Sequence, residues 1–160
     1  MSDTTTAVSR RRFCAGACQA ASGVTLATLF SGCGGDGSSP TSPGGGMASA
    51  LPVLAGRFAA SRVQVTVAGT ALASVGGAVL VESTAGVFLV SRTNETAFSA
   101  VEAVCTHEGC TVSGADGATY VCPCHGSRYS RSGQVVAGPA KANLRQYATT
   151  FTDGVVTIQL

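Results

Sequence analysis

Two short segments of this chain contain the residue types and spacing that bind metals. Segment 105–110 reads Cys-Thr-His-Glu-Gly-Cys, and segment 122–127 reads Cys-Pro-Cys-His-Gly-Ser. Both histidines of the chain lie in these segments. Thiolate and neutral imidazole are ligands of zinc and of iron. The pattern therefore predicts one metal site built from two cysteines and two histidines: Cys105, His107, Cys122 and His125.

The spacing alone leaves the metal open. A tetrahedral zinc ion accepts two cysteines and two histidines, and such a site would stabilise a binding module. Cys110 and Cys124 would lie outside this ligand set, although they could pair with each other. A zinc site also gives no reason for the two hydroxyl-bearing residues nearby, Ser127 and Tyr129.

The two segments resemble the paired motifs of the Rieske iron–sulfur proteins, and the similarity extends over about residues 104–144. It includes Ser127, Tyr129 and the segment 138–140, Gly-Pro-Ala. The resemblance implies one [2Fe-2S] cluster per chain. Cys105 and Cys122 would bind the buried iron, and His107 and His125 would bind the outer iron. It also implies a disulfide between Cys110 and Cys124, which characterises the high-potential branch of the family.

The same resemblance implies a cluster that accepts an electron readily. Two neutral imidazoles in place of two thiolates make the site less negative, which raises potentials to about −150 to +300 mV against about −400 mV for plant-type ferredoxins. Ser127 and Tyr129 match family residues that donate hydrogen bonds to cluster sulfur, and such donors raise the potential further. The histidines could also take up a proton with the electron, as quinol oxidation requires.

Two departures from the family pattern concern the surface around the cluster. Gly138 and Pro139 resemble the start of the loop that covers the cluster, but Lys141 stands where relatives often have a second proline. Glu108 stands where subunits of quinol–cytochrome complexes usually have leucine. A charged group is costly to bury in an apolar docking site. Glu108 therefore favours a separate carrier that meets a polar partner.

Short strands and tight turns dominate the rest of the sequence from about residue 51. Val63, Val65 and Val67 alternate with polar or small residues, which is typical of a half-buried strand. Segments 78–81 and 87–90 are apolar runs separated by 82–86, which predicts a buried hairpin. Asp116-Gly117 and Asp153-Gly154 are turn signals between further strands. We expect an all-β fold: a Rieske-type antiparallel sandwich or small barrel with an inserted cluster-binding subdomain.

The N-terminal segment has the features of an export signal. Ser9-Arg10-Arg11-Arg12-Phe13 matches the twin-arginine pattern, and a stretch without charges comes directly after it. Residues 30–33, Phe-Ser-Gly-Cys, resemble a lipoprotein cleavage site and predict lipidation of Cys33. An uncleaved membrane helix is the alternative. The predicted organisation is a signal peptide at 1–32, a Gly/Ser/Pro-rich tether at 33–50 and the cluster domain at 51–160.

The distribution of charged residues restricts the function further. The formal net charge is +2, and three of the basic residues are Arg10, Arg11 and Arg12. Without a broad basic face, nucleic-acid binding is not expected. We expect a periplasmic, membrane-anchored electron-transfer protein whose partners are redox proteins, a cytochrome or an oxidase, with quinol as a further candidate. The alternative is the iron–sulfur subunit of a quinol:cytochrome oxidoreductase or of a complex resembling arsenite oxidase.

Overall fold

The structure, a computed structural model, describes residues 48–160, and the strands of this part form three sheets. The predicted signal peptide, Cys33 and most of the predicted tether lie outside the described residues. The strands are β1 (Ser49–Ala50), β2 (Val53–Ala55), β3 (Arg57–Ala59), β4 (Arg62–Thr66), β5 (Ala78–Ser83), β6 (Gly86–Arg92), β7 (Phe98–Glu102), β8 (Gly114–Asp116), β9 (Thr119–Val121), β10 (Arg128–Ser130), β11 (Val135–Ala137), β12 (Gln146–Tyr147), β13 (Thr149–Thr152) and β14 (Val155–Gln159).

The middle sheet has the strand order β12-β7-β6-β5-β2 and is buried on both faces. Along β5, Leu80 packs in one hydrophobic core and its neighbours Val79 and Val81 pack in another. Because both faces are covered, the strand needs a continuous apolar run rather than an alternating one. The prediction of a well-buried strand from the apolar run at 78–81 is confirmed.

The outer sheet has the order β13-β14-β4-β3 and covers one face of the middle sheet. Val63 and Val65 of β4 point into the shared core with exposures of 0% and 3%, while the other three residues of the strand are exposed. Ile158 of β14 lies opposite Val63 in the antiparallel register. The half-buried strand predicted from the alternating valines is therefore confirmed.

The third sheet has the order β1-β8-β9-β10-β11. Segment 122–127 connects its strands β9 and β10, whereas segment 105–110 lies between β7 of the middle sheet and β8. Tyr120 and Tyr129 are fully buried in the core that it shares with the middle sheet. The turn at Asp116-Gly117 joins β8 and β9, as predicted. The inserted cluster-binding subdomain expected from the sequence is this sheet with its loops.

The structure differs from the sequence analysis in three local details. The hairpin loop is two residues rather than five, because Glu82 and Ser83 continue β5 and Ser83 pairs with Gly86. The hydroxyl of Ser83 accepts a hydrogen bond from the Ala85 amide and so closes this short turn. The sheets are not wholly antiparallel, since β2 runs parallel to β5. Ser49 and Ala50, assigned to the tether, pair with β8.

Among residues 48–160, no helix is long and apolar enough to cross a membrane.

Candidate metal centre

The two cysteine–histidine segments fold into loops of the same backbone design. In the first loop, residues 105–110, the amide of Cys105 donates to the carbonyl of Cys110 and the amide of Gly109 donates to the carbonyl of Cys105. In the second loop, residues 122–127, the amide of Cys122 donates to Ser127 and that of Gly126 to Cys122. Each loop is thus a closed turn that presents its first cysteine and its histidine toward the same pocket.

A glycine at the fifth position permits each turn. Gly109 has φ 76° and Gly126 has φ 71°, a left-handed conformation that side chains disfavour. The sequence shows a glycine at the fifth position of each segment, but only the structure shows that both have the same left-handed conformation.

A disulfide between Cys110 and Cys124 joins the two loops, as the resemblance implied. The cysteines are 14 residues apart in sequence. The sulfur atoms of this bond and of Cys122 all lie within 4.8 Å of one another. The disulfide therefore lies directly beside the metal-binding pocket and fixes the separation of the loops.

Cys105 and Cys122 place two thiols on the inner side of the pocket, with exposures of 3% and 1%. Burial acts to raise the pKa of the Cys105 thiol, but hydrogen bonds, led by that of the Tyr129 hydroxyl, lower it below its usual value. The pKa of Cys122 is raised by burial and by its neighbour Cys105. In the polypeptide alone these thiols cannot both ionise readily, and a cationic group between them would remove that conflict.

His107 and His125 form the outer side of the pocket. Their Nδ1 atoms are 3.2 Å apart, and their side chains are 27% and 47% exposed. Two nitrogens bound at about 2.0–2.1 Å to one tetrahedral ion lie roughly 3.3 Å apart. The ring nitrogens thus fit a single shared ion, while the sulfurs lie deeper. This arrangement, sulfur inside and imidazole outside, suits an asymmetric two-iron cluster.

Glu108 lies between the two imidazoles at the surface. Its carboxylate oxygens are 3.8 Å from His107 Nε2 and 3.6 Å from His125 Nδ1, and its side chain is 60% exposed. The outer face of the site consequently carries a carboxylate beside both rings. The sequence placed Glu108 next to His107, but its approach to His125 depends on the folding of both loops.

Ser127 and Tyr129, the predicted hydrogen-bond donors, are fully buried at 0% exposure. The Tyr129 hydroxyl lies 3.2 Å from Cys105 Sγ. The Ser127 hydroxyl oxygen accepts from the amide of Ala140 at 3.2 Å, which leaves its own proton free for a sulfur acceptor. Ser127 also contributes to the lowered pKa of Cys105. Both hydroxyls are therefore buried beside the Cys105 thiol.

The segment from Gly138 to Ala142, here called the third loop, packs against the second loop. Gly138 has φ 92°, and a Cβ at this position would lie 2.6 Å from the Cα of Ser127. No other residue could approach the second loop so closely. Pro139 is exposed, and the next residue, Ala140, is buried at 5%.

Thr106 has contacts that sequence reasoning missed. Its backbone amide lies 3.2 Å from the Tyr129 hydroxyl, its own hydroxyl lies 3.1 Å from that group, and the same hydroxyl donates to the Ala142 carbonyl at 2.5 Å. Thr106 thus links the first loop to Tyr129 and to the third loop. In the sequence, only its position between a predicted cysteine ligand and a predicted histidine ligand indicated that Thr106 lies close to the site.

These features define a small β domain with a pocket of thiols and imidazoles between two loops, to both of which the third loop is hydrogen-bonded. The Rieske [2Fe-2S] domain family matches residues 59–148. The chain belongs to this family, and as a Rieske domain it binds a [2Fe-2S] cluster and transfers electrons. The cysteine and histidine donors described above fit that cluster.

Comparison with known proteins agrees with this assignment. The chain is 38% identical over 63 residues to the cytochrome b6-f complex iron-sulfur subunit of Chlorobaculum tepidum, covering 39% of this chain and 35% of the relative. It is 48% identical over 52 residues to the corresponding subunit of Chlorobaculum thiosulfatiphilum, covering 32% of this chain and 29% of that one. The chain therefore spans about a third of the length of these relatives.

Among solved structures, the chain is similar to the cyanobacterial plasma membrane Rieske protein from Synechocystis PCC 6803. The TM-score is 0.53 at 31% identity, covering 61% of this chain and 99% of the other. Naphthalene 1,2-dioxygenase shares the fold over 61% of this chain and 25% of its own, with a TM-score of 0.51 at 18% identity.

Proposed function

We propose that this protein is a high-potential, one-electron carrier on the outer side of the cytoplasmic membrane. Cys105 and Cys122 would hold the inner iron of the cluster, and His107 and His125 the outer iron. The cluster, when bound, supplies the site that gains and loses one electron. The protein supplies the environment that sets its potential and the surface through which the electron passes.

The contact between Tyr129 and Cys105 is the observation that carries the high-potential assignment. At 3.2 Å, the hydroxyl is within reach of the proposed thiolate ligand, in a fully buried setting. A donor directed at sulfur stabilises the extra negative charge of the reduced state. Ser127 adds a second buried hydroxyl near the same thiol.

Redox titration of the purified full-length protein, monitored by electron paramagnetic resonance, tests this assignment. We expect a positive midpoint potential and the spectrum of a mixed-ligand two-iron centre. Tyr129→Phe and Ser127→Ala should each lower the potential, on the order of 60 mV if the reduction equilibrium changes tenfold. Tyr147→Phe is a matched control, since Tyr147 packs in the other core. A wild-type midpoint well below zero would contradict the proposal.

The electron would enter and leave through the imidazoles, because they are the exposed ligands of the proposed set. The buried thiols are shielded from water and from partners. A partner protein must therefore dock on the tip formed by His107, Glu108 and His125. The carboxylate of Glu108 favours a partner that offers polar or cationic groups.

A second candidate function is the iron–sulfur subunit of a quinol-oxidising complex, which the names of the relatives favour. Glu108 argues against it, since docking in an apolar site would bury this carboxylate beside the histidines. Purification of the tagged chain from its native membrane distinguishes the two functions. Stable recovery with cytochrome b or a molybdenum subunit would favour the complex. Recovery of the redox-active chain alone would favour the carrier.

Export and anchoring are part of the proposal and rest on residues 9–13 and 30–33. The Cys110–Cys124 disulfide supports an oxidising compartment. Replacing Arg10 and Arg11 with lysine should abolish export, as measured by cell fractionation. Incorporation of labelled fatty acid should be lost in Cys33→Ala and kept in Cys14→Ala, because the proposed lipid is attached to the Cys33 thiol. A membrane-bound wild-type protein without label would instead favour the uncleaved helix.

A further inference from the structure

The Tyr129 hydroxyl has a single proton but three hydrogen-bonding neighbours. Cys105 Sγ lies 3.2 Å from it, the Thr106 hydroxyl lies 3.1 Å from it, and the Thr106 amide lies 3.2 Å from it. An amide can only donate, so the Thr106 N–H occupies one lone pair of the tyrosine oxygen. The sulfur and the threonine hydroxyl remain as acceptors for the tyrosine proton.

The direction of the Thr106 hydrogen bond is set by its second partner. Thr106 Oγ1 lies 2.5 Å from the carbonyl oxygen of Ala142, and a carbonyl only accepts. The single proton of the threonine hydroxyl is therefore committed to Ala142. Toward Tyr129, the threonine oxygen can act only as an acceptor. It competes with the Cys105 thiolate for the same tyrosine proton.

We propose that Thr106 is a positioning residue that sets the reduction potential by competing with the Cys105 thiolate for the Tyr129 proton. This inference rests on the proposed role of Cys105 as a cluster ligand. Reduction makes the thiolate a stronger acceptor, so the Tyr129–Cys105 bond gains strength with the added electron. The Thr106 oxygen is an acceptor whose strength does not change on reduction. Because the Tyr129 proton is shared with it in both redox states, the Tyr129–Cys105 hydrogen bond strengthens less on reduction. Thr106 therefore holds the potential below the value that Tyr129 alone would give.

Midpoint potentials of four variants of the cluster-loaded, full-length protein test this proposal. Thr106→Val keeps the shape of the side chain but removes the competing oxygen, and we expect its potential to rise. A tenfold shift of the reduction equilibrium would be about 59 mV for one electron. Thr106→Ser keeps the hydroxyl and should behave as the wild type. In a Tyr129→Phe background, the second change, Thr106→Val, should have no effect on the potential.

The Tyr129→Phe background separates proton competition from packing. If Thr106 acted through its bond to Ala142 and the third loop, Thr106→Val would shift the potential equally with and without the tyrosine hydroxyl. An equal shift, an unchanged potential or a lowered one would overturn the proposal. Thr106→Ala is the second variant if the valine variant does not assemble a cluster. Failure of both to assemble would assign Thr106 a structural role and would also overturn it.

The wild-type measurement keeps this inference distinct from the proposed function. A low wild-type potential, or no signal of a mixed-ligand centre, would refute the carrier proposal itself. A high wild-type potential with an unresponsive Thr106→Val variant would leave the carrier proposal intact and refute the role of Thr106.

Discussion

The first and second loops share one backbone design but differ in the role of their sixth residue. Both close with the same pair of amide–carbonyl bonds and the same left-handed glycine. At the sixth position, however, the first loop has Cys110, which forms the disulfide, while the second has Ser127, which lies against the thiol pocket. The shared turn therefore positions the cysteine and histidine of each loop. The sixth residue adds a disulfide in the first loop and a buried hydroxyl in the second.

The third loop contacts both of these loops, but through hydrogen bonds of opposite direction. It accepts a hydrogen bond from Thr106 of the first loop through the Ala142 carbonyl. It donates one to Ser127 of the second loop through the Ala140 amide. The third loop therefore holds the hydroxyl groups of both Thr106 and Ser127 by hydrogen bonds.

The largest effect should come from breaking the feature that the loops have in common, their first cysteine. Cys105→Ser and Cys122→Ser should each abolish the cluster, because a hydroxyl is a poor ligand for iron in place of a thiolate. Iron and acid-labile sulfide content and the electron paramagnetic resonance spectrum measure the loss. The double variant Cys110→Ser/Cys124→Ser is the control. It keeps all four proposed ligands and should therefore retain the cluster. Equal cluster content in a Cys105→Ser protein would refute the ligand assignment.

The next largest effect should come from separating the third loop from the second. Gly138→Ala combines a disfavoured φ of 92° with a contact of 2.6 Å to the backbone of Ser127. Strain of about 1–2 kcal/mol and overpacking of about 1–3 kcal/mol should add in the free energy of unfolding. Urea unfolding of the loaded protein measures the cost. A cost no greater than that of Gly126→Ala would show that the third loop yields easily.

Removing the bond between the two loops should destabilise the protein somewhat less. The disulfide closes a segment with a sequence separation of 14, and the chain-entropy model gives about 3 kcal/mol for such a loop. Urea unfolding of the Cys110→Ser/Cys124→Ser variant, compared with the oxidised protein, checks this value. If stability were unchanged, the third loop and the cluster would be sufficient to hold the two loops together.

The smallest effect is expected from alanine substitution of the glycine in each turn, which tests whether the two turns are equivalent. An alanine Cβ at Gly109 or at Gly126 would meet no atom within 4 Å beyond the adjacent residues, so the positive φ is what opposes it. Each substitution should cost about 1–2 kcal/mol of unfolding free energy. The two values should agree within the error of thermal or urea unfolding. A clear difference would mean that the cluster environment strains one turn more than the other.

Local features of the sequence predicted much of the fold and of the site. The alternating valines of β4, the apolar runs of β5 and β6 and the Asp-Gly turns reflect the burial pattern of each strand alone. The contacts of Thr106 were not predictable, because its partner Tyr129 is 23 residues away and nothing in the spacing indicates a shared proton. The pairing of Ser49 and Ala50 with β8 was missed for the same reason.

The sequence by itself determined which side chains can bind the cluster, since residue chemistry and short spacing are local properties. It also determined the Asp116-Gly117 turn, because this dipeptide favours a tight turn, whereas the turn at Ala60 and Ser61 has positive φ without a glycine. Only the tertiary structure decided that thiols lie inside and imidazoles outside, and which hydroxyl meets which sulfur. Those contacts arise when three loops pack on one sheet, and the free energy of that packing depends on residues far apart in the chain.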